Sequence, residues 1–405
     1  MTLNPFYLHH RPMQGHDGRR NAREGRWPCV PLGALVECLD ARRIPLSRAQ
    51  RARCPGHVPY HGASGVIGYV DRALFDGPLV LLGEDGAPFL DPARDVAFFH
   101  EGPLWAGNHV HVLRPRAGVD GRFVAHALNT VAYDAYVEGA TRPKLTRARM
   151  NSLPVPCPPP ACQRRIAREL DGALARIARQ LHELSVQAAL AREQADAALW
   201  HAVQPDGGHP VRLLGSVFDI VGGGTPPTAR ADCWGGDVPW LTPADLPAGA
   251  PVRLRHGARD LSIAGLAACR ATLVPPGALV VSTRAPVGRV GMTEVAVSVS
   301  QGCKALVPRG GDVALDYAAF LLRARAPVLR QRAGGSVFAE VDTATLASLE
   351  LPLPPLPIQR AVARTAWATM ARLAAQDAAH AAMVAALHEY RPALRHARVA
   401  GLAED

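Results

Sequence analysis

The chain of 405 residues is poor in lysine and aromatic residues, and it has no long apolar run. Without 18 consecutive apolar residues it predicts no transmembrane helix, and its polar N-terminal segment lacks the apolar core of a signal peptide. We therefore expect a globular protein of the cytoplasm with no membrane association. The only lysines are Lys144 and Lys304, so the net charge of +10 comes mainly from arginine and favours a polyanionic partner.

The motifs of common catalytic centres are also missing. A P-loop needs Gly-Lys followed by Ser or Thr, and neither lysine follows a glycine. A nuclease centre of the PD-(D/E)xK type needs an acid two residues before a lysine, where Arg142 and Gly302 stand. The chain contains no G-x-S-x-G, no H-E-x-x-H and no G-x-G-x-x-G before a helix. We predict that it is not an enzyme by itself and has no catalytic residues.

The eight cysteines include no C-x-x-C pair, which argues against a disulfide framework and against common zinc motifs. One segment places Cys54, His57 and His61 at a spacing that suits a metal ion. It provides three ligands and no fourth, whereas structural zinc sites use four. We predict no metal site.

A proline-rich phrase is present twice. VPCPPPACQR (Val155 to Arg164) and LPLPPLPIQR (Leu351 to Arg360) align at an offset of 196 residues. Other segments repeat in the same order: PLGALVE with LLGSVFD, NHVHVLRP with QGCKALVP, and FVAHAL with YAAFLL. Ordered repetition of this kind predicts two related domains.

A long helix is predicted after each copy of the phrase. Apolar residues recur there at steps of three and four, which is the heptad pattern of helices that pack along each other. We predict an antiparallel coiled coil of about 37 residues, roughly 55 Å long. Asp377 and His380 interrupt the second stripe, and Pro392 is predicted to end or kink that helix. The predicted packing residues are Leu170, Leu174, Ile177, Leu181 and Leu184 in the first helix and Val362, Met370, Leu373, Val384 and Leu387 in the second.

The predicted fold class is α+β, with two pseudo-repeated mixed α/β domains separated by two long paired helices. Apolar runs that end in glycine turns supply the strands of each domain. The predicted boundaries are a loose tail at 1–27, a first domain at 28–160, a first spacer helix at 161–205, a second domain at 206–357, a second spacer helix at 358–398 and a tail at 399–405.

The order of these segments resembles a known family. LGSVFDIVGGGTPPT, GGDVPWLTPADL, PPGALVVSTRAPVGRVG and SVSQGC look like the second half of a type I restriction-modification specificity subunit. PYHGASGVIGYVD, GNHVHVLRP and GATRPKL look like its first target-recognition domain. The resemblance implies that each domain reads one half of a bipartite DNA sequence and that the helices set the gap between the halves. Because the two domains share few identities, we expect an asymmetric target.

The resemblance also implies partners. Two methyltransferase (modification) subunits would dock on the helices and carry S-adenosylmethionine, and a separate ATP-dependent restriction subunit would cut DNA. No cofactor is expected in this chain. Two alternatives remain open: a related system whose partner fuses methyltransferase and nuclease, and a coiled-coil adaptor that binds no DNA.

Residues that contact double-stranded DNA are expected among polar or basic groups on loops that the repeat places on the same face. The DNA-binding candidates are Tyr60, His61, Ser64, Arg142 and Lys144 in the first domain and Thr225, Arg230, Thr283, Arg284 and Lys304 in the second.

Overall fold

A computed structural model describes residues 25–139, 141–203, 209–334 and 340–402. The chain forms two compact units, the first made of Met1–Leu184 with Ala381–Asp405 and the second of Ser185–His380. Both long helices contribute to both units, whereas the predicted boundaries follow the chain in linear order. In the part of the chain that the structure describes, no helix is long and apolar enough to cross a membrane.

The first unit contains a four-stranded sheet of order β2-β8-β5-β6, a three-stranded sheet of order β4-β3-β7, and a β1-β9 pair. Helix α3 packs on β5 and β6, and its buried Phe123 fills the main core together with Leu170 of α5. The strands are β1 (Cys29–Pro31), β2 (Val36–Cys38), β3 (Val58–Gly62), β4 (Gly65–Val70), β5 (Leu79–Gly83), β6 (Ala97–His100), β7 (Trp105–Ala106), β8 (Val110–Pro115) and β9 (Pro154–Pro156). The helices are α1 (Leu32–Leu35), α2 (Arg48–Arg53), α3 (Gly121–Leu128), α4 (Arg147–Asn151) and the first part of α5 (Pro160–Val203).

The second unit contains a five-stranded sheet of order β11-β18-β15-β16-β13, a three-stranded sheet of order β14-β12-β17, and a β10-β19 pair. Its main core joins Tyr317 and Phe320 of α8 to Leu199 of α5 and Met370 of α11. The strands are β10 (Val211–Leu213), β11 (Phe218–Gly222), β12 (Trp234–Leu241), β13 (Val252–Leu254), β14 (Arg259–Leu261), β15 (Leu279–Ser282), β16 (Val290–Thr293), β17 (Ser298–Val299), β18 (Cys303–Pro308) and β19 (Glu350–Pro352). The helices are α6 (Leu214–Val217), α7 (Ile263–Cys269), α8 (Leu315–Ala324), α9 (Ala326–Arg332), α10 (Thr343–Ala347) and α11 (Leu356–Ala400).

The two units repeat one topology. The order β2-β8-β5-β6 corresponds to β11-β18-β15-β16, and the parallel pair β3-β7 corresponds to β12-β17. The antiparallel pairs β1-β9 and β10-β19 close each repeat. The predicted duplication and the α+β fold class are therefore confirmed.

Helices α5 and α11 contain 44 and 45 residues, so each is longer than the coiled coil of about 37 residues that the heptad pattern predicted. Cross-helix contacts run antiparallel, since Arg398 faces Glu169 in the first unit (3.6 Å) and Arg192 faces Asp377 in the second (3.2 Å). Among the predicted packing residues, Leu170, Ile177, Leu184 and Met370 are buried, and Leu174, Leu181, Val362, Leu373, Val384 and Leu387 are partly buried.

The polar interruption of the second stripe is an ion pair between the helices. Asp377 accepts hydrogen bonds from Nε and Nη2 of Arg192 on α5 (3.3 and 3.2 Å). Of the two predicted effects of Pro392, an end or a kink, the end is wrong, because α11 continues through Pro392 to Ala400. A proline inside a helix removes one i→i−4 hydrogen bond, and its ring crowds the carbonyl of residue i−4. The turn beyond Pro392 is anchored by Arg395 on Asp95 (2.7 Å).

The described ends of the predicted tails are also ordered. The N–H of Arg26 donates to the carbonyl oxygen of Ala400 (2.8 Å), and the Trp27 ring lies against Gly401. The tail prediction is therefore wrong for these residues. Residues 1–24 and 403–405 lie outside the described part of the chain.

The repeated phrase has a structural explanation in its glutamines. Gln163 donates from Nε2 to the carbonyl oxygen of Pro158 (2.8 Å) and accepts the N–H of Asp120 (2.9 Å). Gln359 donates in the same way to Pro354 (2.8 Å), five residues before it. Each glutamine ties the proline segment and the domain behind it to the first turn of a long helix, where backbone groups lack helical partners.

Candidate nucleic-acid interface

Connections at one end of the strands in the first unit are held together by backbone hydrogen bonds. The N–H of Gly107 donates to the carbonyl oxygen of His61 (2.9 Å), and that of Glu84 donates to His109 (2.9 Å). The N–H of Leu145 donates in turn to Glu84 (2.7 Å). We name these connections the first strand-end cluster, residues 61–65, 84–86, 107–109, 138–139 and 141–145.

The second unit repeats this arrangement bond for bond. The N–H of Ser300 donates to Leu241 (2.8 Å), that of Thr283 to Gly302 (2.9 Å), and that of Val341 to Thr283 (3.0 Å). We name these connections the second strand-end cluster, residues 222–225, 241–242, 283–284, 300–304 and 340–342. Turns on a rigid sheet are common positions for binding residues.

Strand register makes the two clusters comparable residue by residue. The pairs β2-β8 and β11-β18 have the same register when counted from the prolines that end β8 and β18. Continued two residues beyond the last β2-β8 pair, Cys38 with Leu113, this register aligns Gly222 with Asp40 and Lys304 with His111. Compared with the first cluster, the second therefore has a glycine in place of an acidic residue and a lysine in place of a histidine.

The backbone hydrogen bonds place Arg284 at the position of Asp85 and Glu340 at the position of Lys144. In the first cluster, Nε of Arg142 lies 2.7 Å from the Asp85 carboxylate. In the second, Nη1 of Arg284 lies 3.6 Å from Glu340. The side chains of Arg142, Arg284 and Glu340 are exposed, so both pairs contribute little stability. The reversed polarity means that one backbone frame presents different hydrogen-bonding groups in the two units.

Three of the first-domain candidates lie exposed in the first strand-end cluster. Ser64 lies in the turn between β3 and β4. The side chains of Arg142 and Lys144 are 60% and 53% exposed, and Nζ of Lys144 lies 3.9 Å from Glu84. The structure therefore brings these three groups to one end of the strands.

Tyr60 and His61 do not lie on a loop, so that placement is wrong. Both belong to β3, which pairs with β4 and β7 on its two sides, and they are only 3% and 4% exposed. The exposed apolar residues of this hairpin are Val66, Ile67 and Tyr69 on the edge strand β4. They were not predicted from the sequence, because the apolar residues of this segment do not alternate with polar residues.

His61 is a buried histidine without hydrogen bonds. Neither ring nitrogen has a partner among the described residues, and the ring packs edge-on against His100 (5.2 Å between centroids). Burial, helped by His100, lowers the pKa of His61 from 6.5 to about 4. His61 is therefore neutral at pH 7, and the equivalent position in the second unit holds Leu241.

We expect His61→Leu to stabilise the protein by about 1 kcal/mol at pH 8, because it removes two unpaired buried nitrogens. The unfolded chain binds a proton near pH 6.5 and the folded chain only near pH 4, so the wild type loses stability as pH falls between these values. The variant should lose less over that range. Urea unfolding at several pH values measures both effects, and parallel pH curves for the two proteins would contradict the assignment.

In the second unit Thr283, Arg284 and Lys304 lie together in the second strand-end cluster. Thr283 is buried, and its hydroxyl donates to the carbonyl oxygen of Gly302 (3.3 Å), so its side chain is turned inward. Arg284 donates from Nη2 to the Gln301 amide oxygen (3.2 Å). Gln301, at the turn before β18, was missed because no sequence signal marks it.

The remaining two candidates are separated. Thr225 is exposed on the glycine loop that follows β11, within the second strand-end cluster. Arg230 lies outside that cluster, where its Nε donates to Asp232 beside it (3.1 Å). The ion pair with Asp232 therefore occupies part of the hydrogen-bonding capacity of the Arg230 guanidinium group.

Three metal-ligand types meet in the first unit, at residues that spacing did not indicate. Ligand atoms of Cys38, Asp40 and His111 lie within 4.8 Å of one another. Nδ1 of His111 is paired with Asp40 (2.6 Å) and Nε2 with the carbonyl oxygen of Leu145 (3.0 Å). Because both ring nitrogens are used, these residues form a hydrogen-bonded network and do not fit a metal ion.

The family model of the type I restriction modification DNA specificity domain matches the chain twice, at residues 25–183 and 209–365. The chain belongs to the type I restriction-modification specificity family. The two matches coincide with the two repeats, so each strand-end cluster lies within one specificity domain.

Individual relatives agree with this assignment. The chain is 30% identical over 146 residues to the specificity subunit of the type I restriction enzyme MjaIX of Methanocaldococcus jannaschii. That match covers 36% of this chain and 34% of the relative. The chain thus matches about a third of the length of its curated relatives.

Solved structures share the fold over almost the whole chain. One, from work on complex assembly and conformational transition of the type I R-M system, has a TM-score of 0.71 at 19% identity and covers 93% of this chain and 97% of the other. The HsdS subunit from Thermoanaerobacter tengcongensis has a TM-score of 0.56 at 19% identity, with the same coverage. At these identities the likeness concerns the fold alone.

Proposed function

We propose that the chain is the DNA sequence-specificity subunit of a type I restriction-modification complex and that it reads a bipartite, asymmetric DNA target. The observation that carries this proposal is the pair of strand-end clusters. One backbone frame occurs twice and presents opposite charges at equivalent positions, as at Asp85 and Arg284. Two recognition domains that share one backbone geometry but differ in their side chains are suited to two different half-sites. The net charge of +10 supplies the attraction to phosphate.

We further propose that α5 and α11 space the half-sites and dock two methyltransferase (modification) subunits. Both helices keep apolar side chains in solvent, with Val186 and Leu190 of α5 and Met383 of α11 all at least 50% exposed. Such residues suit a partner surface. The partners would supply S-adenosylmethionine and, through an ATP-dependent restriction subunit, DNA cleavage. The chain itself would be non-catalytic and act in the cytoplasm.

Sequencing of genomic DNA with detection of methylated adenine tests the proposal. We expect a two-part asymmetric motif in cells that carry this gene and its methyltransferase partners, and complete loss of that motif when this gene alone is deleted. We expect each of the two domains to determine the base sequence of one half of the motif. A motif that persists after deletion would contradict the specificity role.

A related system, in which one partner fuses methyltransferase and nuclease, is a second candidate, because the exposed helix faces suit either partner. Purification of the complex separates the two by the number and size of the partner chains. An adaptor that binds only proteins would show no DNA binding that falls with salt, even with its partners present.

A further inference from the structure

In the first unit, the buried residue His111 of β8 has partners at both of its ring nitrogens. His111 is 1% exposed, and its two ring nitrogens pair with Asp40 and with the carbonyl oxygen of Leu145. The second carboxylate oxygen of Asp40 accepts the N–H of Val112 (2.9 Å). This position in the first strand-end frame therefore has no free donor to offer a ligand.

The equivalent position in the second unit is open. Lys304 lies directly across from Gly222 in the β11-β18 pair. In the first unit Asp40 lies in the turn beyond β2 and contacts His111 through its carboxylate (2.6 Å). A Cβ added at Gly222 would meet only Nζ of Lys304, at 3.5 Å. Nζ of Lys304 thus lies beside the backbone position that aligns with Asp40, whose carboxylate pairs with His111 in the first unit.

Lys304 is partly buried and has no ion-pair partner. Among the residues that the structure describes, no carboxylate oxygen lies within 4 Å of its Nζ. The pKa of Asp342 is lowered chiefly by the hydrogen bond from the N–H of Thr345 and only lastly by Lys304, so that carboxylate is already used as a helix cap. Arg284, in the same cluster, points to Glu340 and Gln301.

Solvent reaches the ammonium group of Lys304, because its Nζ is not among the buried polar atoms without a partner and Gly222 beside it is exposed. Since no described carboxylate engages it, this group can donate to an acceptor from another molecule. We infer that Lys304 donates a hydrogen bond to an acceptor atom of DNA in the half-site read by the second domain, at a position that the first domain keeps closed with Asp40 and His111. This inference rests on the proposed function and assigns one of its specificity residues. The acceptor is a guanine edge (O6 or N7) or a phosphate oxygen.

Gly222→Asp provides the test, because it rebuilds the first unit's acid opposite Lys304. The Gly222 backbone needs no glycine-only conformation, and the new side chain has room. A cross-strand pair of opposite charges does not weaken a sheet, so the variant should fold as stably as the wild type. Binding of randomised duplexes by the full chain with its methyltransferase partners, followed by sequencing of the bound DNA, should show a loss of about tenfold to a hundredfold at the affected site.

The matched control is Gly310→Asp, which adds the same charge on the exposed turn beyond the other end of β18, where nothing lies within 4 Å of a Cβ. It should leave the half-site unchanged. The direct variant Lys304→Gln should reproduce the effect of Gly222→Asp. Equal behaviour of Gly222→Asp and Gly310→Asp would overturn the inference.

The pattern of loss identifies the acceptor. A guanine contact predicts relaxed preference at one base of one half-site, with the other half-site intact. A phosphate contact predicts weaker binding to all sequences and a salt dependence that is smaller by about one charge. Selection of a bipartite motif by the wild type, with no change in Gly222→Asp or Lys304→Gln, would reject the role of Lys304 and leave the proposed function standing. A wild type that selects no motif would reject both.

Discussion

Replacing Gln359 by alanine is expected to lower the free energy of unfolding by about 3 kcal/mol. The glutamine is 1% exposed, and its Nε2 donates to the carbonyl oxygens of Pro354 (2.8 Å) and Asp312 (2.9 Å). Its Oε1 accepts the N–H of Ala314 (2.8 Å). Alanine would leave the Pro354 carbonyl oxygen buried without a partner, at a cost of about 1–3 kcal/mol, and would free the partly buried groups of Asp312 and Ala314 at a smaller cost, because water reaches them.

Urea unfolding followed by tryptophan fluorescence measures this effect. The control is Arg360→Ala at the next position, which is exposed and should change stability by less than about 0.5 kcal/mol. Because Gln163 makes two of the corresponding bonds, Gln163→Ala should also destabilise, though less than Gln359→Ala. Equal stability of Gln359→Ala and Arg360→Ala would show that the amide is not an anchor.

The second large effect is expected for Asp95→Ala, at about 3 kcal/mol. The Arg395 side chain is 4% exposed and forms two hydrogen bonds with the Asp95 carboxylate (2.7 and 3.2 Å). Removal of the acid would leave a buried guanidinium uncompensated, which is far more costly than the loss of a surface pair.

Arg391 provides the control for this ion pair. It faces the same carboxylate from 3.6 Å and is 27% exposed, so Arg391→Ala should cost less than about 1 kcal/mol. Combining Asp95→Ala with Arg395→Met should recover most of the loss, because no buried charge remains. Thermal unfolding of the four proteins separates these cases, and an unimproved double variant would argue that packing, not charge, determines the loss.

The duplication and the paired helices were predictable from the sequence because both depend on periodic patterns. The proline phrase marks each helix entry at a fixed distance from a glutamine, and the heptad stripe reports which side of a helix is apolar. The role of the glutamines was not predictable, since Asp312 and Ala314 approach Gln359 only through the tertiary fold.

The candidate interface was predictable only in part. Arg142, Lys144, Arg284 and Lys304 were identified from charge and loop position, and the structure places all four in the strand-end clusters. Tyr60 and His61 were chosen as polar residues close to a turn. They are buried instead, because β7 pairs with β3 from a distant part of the chain. The position of Gly222 opposite Lys304 follows from strand register, which neither residue type reveals.

The division of the chain determines how many gene segments encode each unit. The second unit is one continuous stretch, Ser185–His380, whereas the first is encoded in two stretches that flank it. A single gene segment can therefore replace the whole second unit, and the break points fall inside helices α5 and α11. Replacing the first unit whole requires two segments inherited together, since Arg395 in the second stretch must match Asp95 in the first. Replacement of the second unit therefore needs one segment, whereas replacement of the first needs two.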